Sequence, residues 1–216
     1  MKKVPSDYAE MDFSKAKRFD RMVKRNFMPA IHSTVKQIIE DYGILKGVCV
    51  DVGCGTAVFA IELSRLCGLR IFALEKEKAI YEVALRNIKK ENFVDKVIPV
   101  LGDAHALPFD ESFADFIISR GAYHCWKDKV QVFREIYRVL KEGGIGFVGG
   151  GFGRYVTDKE LRRMKSLRAC SLQENRKAYS SAESLKEVIY RANISNFRIL
   201  PDKAGFWIEI KKQKSK

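Results

Sequence analysis

The residues between 46 and 150 alternate between short apolar runs and longer amphipathic runs. The apolar runs "GVCVDVG", "LRIFALE", "KVIPVLGD", "ADFIISR" and "IGFVGG" are typical of buried strands. The runs "AVFAIELSRLC", "KAIYEVALRNIKK" and "VQVFREIYRVL" carry apolar residues at helical spacing. Strands that alternate with helices form a parallel sheet with helices on both faces. The pattern therefore predicts an α/β fold in three layers, with a parallel sheet between two layers of helices.

The third apolar run and the end of the chain add detail to the predicted sheet. The proline in "KVIPVLGD" lacks a backbone N–H, so we expect this strand to be imperfect or to lie at an edge. The terminal segment "FRILPDKAGFWIEIK" predicts two strands joined by a short turn. We therefore expect a mostly parallel seven-stranded sheet that ends in a C-terminal antiparallel β-hairpin.

The segments outside the alternating region predict additional helices. Residues 13–25 form one predicted helix, and a second begins near Pro29 and ends near Gly43. The runs "TDKE" and "SSAE" place Thr or Ser three residues before Glu, which is the capping-box pattern that opens a helix. The run "VQVFREIYRVL" is followed by "KEGG", which predicts a glycine stop.

These patterns divide the chain into two predicted parts. We expect an N-terminal helical cap over residues 1–43 and the main domain over 44–216. Within the main domain, residues 154–180 are a predicted helical insertion.

Composition limits the class of protein. The chain has 216 residues, of which 46% are hydrophobic, so it can bury a substantial core. It has no apolar stretch near 18 residues, and its start, "MKKVPSDYAEMDFSKAK", has no apolar run after the lysines. The five cysteines are odd in number and form no CxxC pair. We therefore expect a cytoplasmic protein with reduced thiols, no membrane segment, no signal peptide and no metal site.

The formal net charge of +13 lies entirely in the flanks. Residues 49–151 hold 14 basic and 14 acidic residues, whereas residues 1–48 hold 10 against 6 and residues 152–216 hold 16 against 7. Basic flanks fit a nucleic acid or an anionic small substrate. They also fit solvated surfaces with a basic tail, and the sequence leaves both interpretations open.

A pair of glycines follows the first predicted strand. In "VDVGCGTA", Gly53 and Gly55 stand at a strand-to-helix turn, where glycine lets the backbone turn tightly and approach a ligand. Open α/β sheets bind ligands at the carboxyl ends of their strands. Glu75 ends the next strand, where a carboxylate can accept hydrogen bonds from both hydroxyls of a ribose. These residues predict a nucleoside-containing ligand.

Two nucleoside cofactors fit this turn. The dinucleotide fingerprint requires a third glycine where this chain has Val58, so a less anionic ligand is favoured. Tyr123 and Lys127 have the YxxxK spacing of short-chain dehydrogenases, in which the pair lies on a helix. Here Trp126 and Asp128 indicate a loop before a helix, so we do not expect an oxidoreductase.

Several motifs resemble those of class I S-adenosylmethionine-dependent methyltransferases. "VDVGCGTA" is similar to their first motif, "LGDAHALPFDESFADFIISR" to their adenine-side loop and fourth strand, and "REIYRVLKEGG" to the helix before their fifth strand. The resemblance covers roughly residues 44–151, and the hairpin extends it. The "D-ALPF" motif is most similar to that of the methyltransferase type 11 branch, which methylates small molecules and includes quinone-biosynthesis enzymes. The resemblance implies a Rossmann-like three-layer sandwich and an enzyme whose cofactor is S-adenosylmethionine. It places the methyltransferase domain over 44–216 and implies that the insertion 154–180 is a helical cap over the substrate.

The resemblance implies twelve cofactor-binding residues. They are Asp51, Gly53, Cys54, Gly55, Glu75, Lys76, Asp103, Ala104, His105, Ser119, Arg120 and Gly121. The glycine loop would line the methionine moiety through its backbone, and Asp51 would help to order that loop. Glu75 would hold the ribose, beside Lys76 at the adenine. Asp103 would accept a hydrogen bond from the adenine amino group, and residues 119–121 would lie beneath the sulfonium carbon.

Methyl transfer from a sulfonium is an in-line displacement, so the protein mainly positions two reactants. Where the acceptor must lose a proton, His124 is the candidate catalytic base because it follows the fourth strand. The alternative is that "YHCW" only packs the pocket rim. The glycine-rich run at 149–153 would admit a bulky substrate or act as a hinge.

The leading hypothesis is a methyltransferase that acts on a small molecule. Basic residues of the predicted cap make an anionic acceptor attractive: Arg154, Arg162, Arg163, Lys165 and Arg168. An RNA-modifying methyltransferase that uses the basic flanks is the first alternative. It would need aromatic side chains to stack bases, and the cap offers only Phe152, Tyr155 and Tyr179. A non-catalytic module that binds the cofactor is the second alternative.

Overall fold

The computed structural model describes residues 11–172 and 182–214, with side chains left out for 168–172 and 182. Its seven strands form one sheet in the order β3-β2-β1-β4-β5-β7-β6. The strands are β1 (Lys46–Val52), β2 (Gly68–Glu75), β3 (Val97–Leu101), β4 (Ala114–Arg120), β5 (Leu140–Gly149), β6 (Phe197–Asp202) and β7 (Gly205–Lys211). Strands β1 to β5 run parallel, whereas β7 is antiparallel to both β5 and β6. The predicted sheet and its C-terminal hairpin are confirmed.

Seven α-helices flank the sheet within the described residues. They are α1 (Phe13–Asn26), α2 (Met28–Tyr42), α3 (Val58–Leu66), α4 (Lys78–Lys90), α5 (Lys129–Val139), α6 (Asp158–Leu172) and α7 (Ala182–Arg191). Helices α2, α3 and α4 pack on one face of the sheet, and α5 and α7 pack on the other. None of the described helices combines the length and apolar character needed to cross a membrane.

Local chemistry sets several helix ends as the sequence predicts. Gly43 ends α2 with a φ of 60°, a left-handed conformation that suits glycine. At the start of α6, the Glu160 backbone N–H donates to the Thr157 hydroxyl at 3.3 Å, and the Thr157 N–H donates to the Glu160 carboxylate at 3.0 Å. This is the capping box predicted from "TDKE". The "SSAE" box begins at Ser180, outside the described residues.

The end of α5 differs from the prediction. The predicted glycine stop at "KEGG" is wrong, because the helix ends at Val139 and β5 already begins at Leu140. Leu140 is fully buried and has an extended backbone, with ψ at 135°. The pairing register between β4 and β5 shifts between Ala114 and Phe116. Burial of Leu140 in the core therefore decides the boundary, and the glycines lie inside an irregular strand.

The sheet order creates a crevice at the carboxyl ends of β1 and β4. From β1 the chain proceeds outward through β2 to β3, and then β4 returns to the other side of β1. Ligands of open α/β sheets bind where the strand order reverses in this way. Strand β3 is the edge strand on one side, as the proline within it predicts.

Candidate functional site

The glycine loop follows β1 and opens α3. The backbone N–H groups of Gly53 and Cys54 both donate to the Leu74 carbonyl of β2, each at 2.9 Å. Gly53 has a φ of +75° and Gly55 a φ of +58°, where side chains other than glycine are strained. A Cβ added at Gly53 would lie 2.4 Å from the Ala122 Cβ, so this glycine also lets the loops after β1 and β4 pack together.

Glu75 binds the glycine loop from the end of β2. One carboxylate oxygen accepts from the Gly55 N–H at 3.1 Å, and the other accepts from the N–H groups of Lys76 and Glu77 at 2.9 and 3.0 Å. The residue is only 8% exposed. Burial raises the pKa of Glu75, and these three backbone hydrogen bonds oppose that rise.

Asp51 is a second buried carboxylate at the same edge. It lies on β1, is 2% exposed, and its Oδ2 has no hydrogen-bond partner among the described residues. Burial, assisted by the negative charge of Glu75, raises the pKa of Asp51 to about 7, although Arg120 opposes the rise. The site therefore holds two buried acids whose ionised forms are costly.

The loop after β3 carries Asp103, Ala104 and His105. The Asp103 Oδ1 accepts from the His105 backbone N–H at 2.9 Å and from the His105 ring Nδ1 at 2.5 Å. Although partial burial raises the pKa of Asp103, these bonds with His105 hold it below its usual value, and Lys76 contributes to the lowering. Ala104 is buried against the core on the α5 side. The structure thus brings Asp103 and Lys76, from neighbouring strand ends, close to each other.

The three residues at the end of β4 differ in what they can offer a ligand. The Ser119 hydroxyl is fully buried and donates to the Val52 carbonyl at 2.7 Å. The Gly121 N–H donates to the Gly149 carbonyl at 2.7 Å, with φ at +81°. The Arg120 guanidinium is buried at its Nε and interacts with Asp51. Ser119 therefore joins β4 to β1, and its hydroxyl group is already engaged there.

His124 lies in a short 3-10 turn, Tyr123–Cys125, between β4 and α5. Its ring centroid is 3.7 Å from that of Tyr123, and both ring nitrogens are shielded from solvent. Tyr123 is 3% exposed, whereas Lys127 is exposed, and neither lies on an α-helix. The YxxxK spacing therefore does not produce the dehydrogenase arrangement.

The glycine-rich run at 149–153 serves packing. A Cβ added at Gly151 would lie 2.5 Å from the Asp202 carboxylate, and one at Gly153 would lie 2.4 Å from the Ser33 hydroxyl of α2. The Asp202 carboxylate accepts from the N–H groups of Phe152 and Gly153 at 2.8 and 2.9 Å. Close contact with the hairpin and α2 accounts for these glycines, for which the sequence allowed either an opening for a bulky substrate or a hinge.

The basic residues of the predicted cap have different surroundings. Arg154 forms an ion pair with Asp41 of α2 and lines a groove between α2 and the hairpin. Arg163 on α6 lies 3.4 Å from the Asn26 side chain at the end of α1. Arg162 and Lys165 are exposed, and the Arg168 side chain is outside the described residues.

Helix α1 supplies a contact that the sequence did not predict. The Phe19 ring lies over the glycine loop, 3.4 Å from where a Gly55 Cβ would be. Asp20 accepts from the Asn87 side chain of α4 at 2.8 Å, and Asn87 also donates to the Thr56 carbonyl at 2.9 Å. The amphipathic spacing of α1 indicates a packed helix, but no local signal identifies the glycine loop as its partner.

Among the described residues, no group of three His, Cys, Asp or Glu side chains could hold a metal ion. The donor set instead suits an organic cation with a nucleoside. Two buried carboxylates, a cradle of left-handed glycines and an exposed Asp103 lie at the ends of β1, β2 and β3. The residues present therefore fit S-adenosylmethionine, which carries a sulfonium, an ammonium and a ribose.

Comparison with known proteins gives the same result. Residues 50–148 match the family model described as "Methyltransferase domain". The crystal structure of a Methanococcus maripaludis protein, described as an S-adenosyl-L-methionine-dependent methyltransferase, is 33% identical, with a TM-score of 0.85 over 100% of this chain and 99% of that chain. Phosphoethanolamine N-methyltransferase 2 from Haemonchus contortus shares the fold, with a TM-score of 0.71 at 16% identity over 96% of this chain and 59% of its own.

Curated relatives include enzymes of known activity. Sterol 24-C-methyltransferase from Pneumocystis carinii is 33% identical over 65% of this chain and 38% of its own length. Demethylmenaquinone methyltransferase from Staphylococcus aureus is 30% identical over 51% of this chain and 46% of its own. The chain spans about a third to a half of the length of the first curated relatives it matches. With the fold, the cofactor site and the full-length methanococcal match together, the chain belongs to the class I S-adenosylmethionine-dependent methyltransferase family.

Proposed function

We propose that this chain transfers the methyl group of S-adenosylmethionine to a small-molecule acceptor. The observation that carries the proposal is the pair of buried carboxylates, Asp51 and Glu75, beneath the glycine loop. An ionised carboxylate is costly to bury alone, and a positively charged ligand group beside it lowers that cost. The sulfonium and ammonium of S-adenosylmethionine are such groups, whereas the pyrophosphate of NAD would add negative charge.

Glu75 can accept a hydrogen bond from one ribose hydroxyl without giving up its present hydrogen bonds, and accepting from both hydroxyls would displace one of them. Its two oxygens accept three backbone N–H groups, and an ionised carboxylate has about four acceptor positions. The glycine loop would receive the methionine moiety through its backbone, with Cys54 in the middle of the loop. Lys76 and Ala104 would border the adenine, and the Asp103 carboxylate would accept a hydrogen bond from the adenine amino group.

The residues after β4 would form the floor of the reaction site. Ser119 would shape the floor of the site without bonding a ligand through its hydroxyl, since that hydroxyl already donates to the Val52 carbonyl. Gly121 leaves room above the strand end, because an added Cβ there would meet nothing within 4 Å among the described residues. Arg120 would balance the charge of Asp51, which it already approaches.

When bound, the cofactor supplies both the methyl group and the leaving group, so this chain's residues chiefly hold the reactants in line. His124 is placed after β4, where a base could take a proton from the acceptor. Packing against Tyr123 also suits a purely structural part for this ring. We favour a mechanism in which the chain mainly positions the cofactor and the acceptor. His124 is the candidate base for an acceptor that must lose a proton.

The acceptor class rests on relatives and on charge. Sterol and demethylmenaquinone methyltransferases among the relatives support a small molecule. Exposed Arg162, Arg163 and Lys165 support an anionic or electron-rich one. An RNA acceptor is the alternative favoured by the same charges, and salt-sensitive RNA binding would support it. A cytoplasmic location and an N-terminal helical cap over residues 1–43 stay predictions.

Isothermal titration calorimetry tests the cofactor assignment. The wild-type protein should bind S-adenosylmethionine and S-adenosylhomocysteine but not NAD. Glu75→Gln should weaken binding by about 1–3 kcal/mol, because it replaces a carboxylate acceptor next to the ribose hydroxyls. Glu77→Gln is the matched control, since Glu77 is a neighbouring glutamate whose carboxylate makes no hydrogen bond to the glycine loop in the described structure. Tight NAD binding, or equal cofactor affinity in wild type and Glu75→Gln, would refute the assignment.

A further inference from the structure

The loop that carries Asp103 is anchored to α5 by side chains on one face of that helix. The Glu135 carboxylate accepts from the Leu107 N–H at 2.8 Å, and Arg138 donates to the Leu107 carbonyl at 3.1 Å. Gln131 donates to the His105 carbonyl at 3.3 Å. These bonds hold the loop backbone, but none of them reaches the Asp103 carboxylate.

Within the described structure, His105 supplies both hydrogen bonds to the Asp103 carboxylate. The Asp103 side chain is 52% exposed, and every hydrogen bond that it accepts from the described residues goes to Oδ1. Both donors belong to His105, one from the backbone and one from the ring. The ring is therefore the one side chain, within the described structure, that helps the His105 backbone N–H to set the torsion of this carboxylate, and it leaves Oδ2 directed elsewhere.

The far side of the ring fixes its tautomer. The Asp128 backbone N–H at the start of α5 lies 3.2 Å from the His105 Nε2, and an amide N–H can only donate. Nε2 must then carry a lone pair, so the ring proton lies on Nδ1 and points at Asp103. Asp128 is itself fixed as the N-cap of α5, where its carboxylate accepts from the Gln131 N–H at 3.0 Å.

We propose that His105, with its ring proton on Nδ1, is a positioning residue that aims the Asp103 carboxylate at the adenine amino group. This inference rests on the proposed function, because it assumes that the adenine lies at Asp103. The His105 ring bonds the start of α5 on one side and Asp103 on the other. The helix therefore restricts the motion of the half-exposed Asp103 carboxylate. The contribution of His105 is to the recognition of adenine over other purines, beyond the stability of the loop.

The test compares S-adenosylhomocysteine with S-inosylhomocysteine, in which a carbonyl replaces the amino group. Wild type should prefer the adenine ligand by about 10–100-fold, since a carbonyl facing Asp103 leaves an acceptor against an acceptor. His105→Ala should raise the Kd for S-adenosylhomocysteine about tenfold and change the Kd for the inosine ligand less than about threefold. His105→Gln keeps one donor and one acceptor and should retain most of the preference. Gln131→Ala removes the other hydrogen bond that joins α5 to the His105 backbone, and it should leave the ratio of the two Kd values unchanged.

The outcomes separate this inference from the function beneath it. If wild type binds neither ligand, the proposed function fails and the inference fails with it. If wild type binds the adenine ligand but His105→Ala weakens both ligands equally, His105 is only structural and the inference alone is overturned. A fall of the ratio in Gln131→Ala equal to that in His105→Ala would overturn it as well, because loop anchoring would then explain the effect. His105→Gln keeps the test valid if the alanine variant does not fold.

Discussion

Asp51 should make the stability of the ligand-free protein fall as the pH rises. Its pKa is about 7 in the folded protein against an ordinary value of 3.8, because burial disfavours the ionised form. Between about pH 4 and pH 7 the folded protein therefore holds a proton that the unfolded chain releases. The free energy of unfolding decreases across this window and levels off above it, since a raised acid pKa opposes folding once the unfolded group is ionised.

The size of the effect follows from the two pKa values. Their difference corresponds to about 4 kcal/mol over the full window, and to about 3 kcal/mol between pH 5 and pH 8. Asp51→Asn removes the charge and its proton equilibrium while keeping the side-chain shape. The variant carries a pH-independent cost of about 1–3 kcal/mol for its imperfectly paired amide. Its stability relative to wild type should therefore improve steadily from pH 5 to pH 8.

Urea denaturation from pH 5 to pH 8, followed by the fluorescence of buried Trp126 and Trp207, measures this difference. Asp115→Asn provides a control whose stability difference from wild type should stay constant between pH 5 and pH 8. Partial burial raises the pKa of Asp115, but bonds from the Val48 N–H and Lys141 outweigh this and lower it. Its stabilisation is fully present from pH 5 to pH 8, because a lowered acid pKa changes stability only below the ordinary value of 3.8. If the Asp51→Asn and wild-type curves run parallel at all pH values, Asp51 is not the buried acid described above.

Three further predictions concern the site. Gly53→Ala should destabilise the protein by about 1–3 kcal/mol in thermal unfolding, because a Cβ would meet Ala122 at 2.4 Å in a left-handed conformation; Gly55→Ala, whose Cβ would lie 3.4 Å from the nearest side-chain atom, should cost less. His124→Ala should lower kcat about 100-fold with cofactor Kd unchanged if the ring is a base, and less than about threefold if positioning is the whole mechanism, as we expect. Replacing Arg162 and Arg163 together with Gln should raise KM for an anionic acceptor at low salt and flatten its salt dependence, because charge steering is screened over about 8 Å at physiological ionic strength.

Each of these has an outcome that would contradict it. Equal stability of the two glycine variants would show that the Ala122 contact has no energetic weight. A KM unchanged at low salt would mean that the arginines are a solvated face. Lys89→Gln with Lys90→Gln, on the exposed end of α4, removes the same charge away from the strand ends and should leave KM unchanged.

The sequence by itself determined the order of the strands and helices along the chain, the terminal hairpin and the acids at the strand ends. These features depend on periodicity and on residues within a few positions of one another, as in the capping box at Thr157 and the glycine loop at Gly53. The resemblance of that loop to a known motif then identified the cofactor. Glu75 could be proposed as a ribose ligand because a strand end places its last side chain at the ligand edge of the sheet.

Tertiary structure alone decided which side chains meet across the chain. Phe19 lies on the glycine loop, and Asp202 binds the Phe152 N–H from 50 residues away, although neither contact has a local pattern. The same holds for the end of α5, where burial of Leu140 overrode the glycines that follow. The pKa of Asp51 also depends on its burial in the folded chain and on the acid from the next strand. Local propensity determines which elements form, whereas burial and long-range contact determine their limits and the chemistry of the groups enclosed between them.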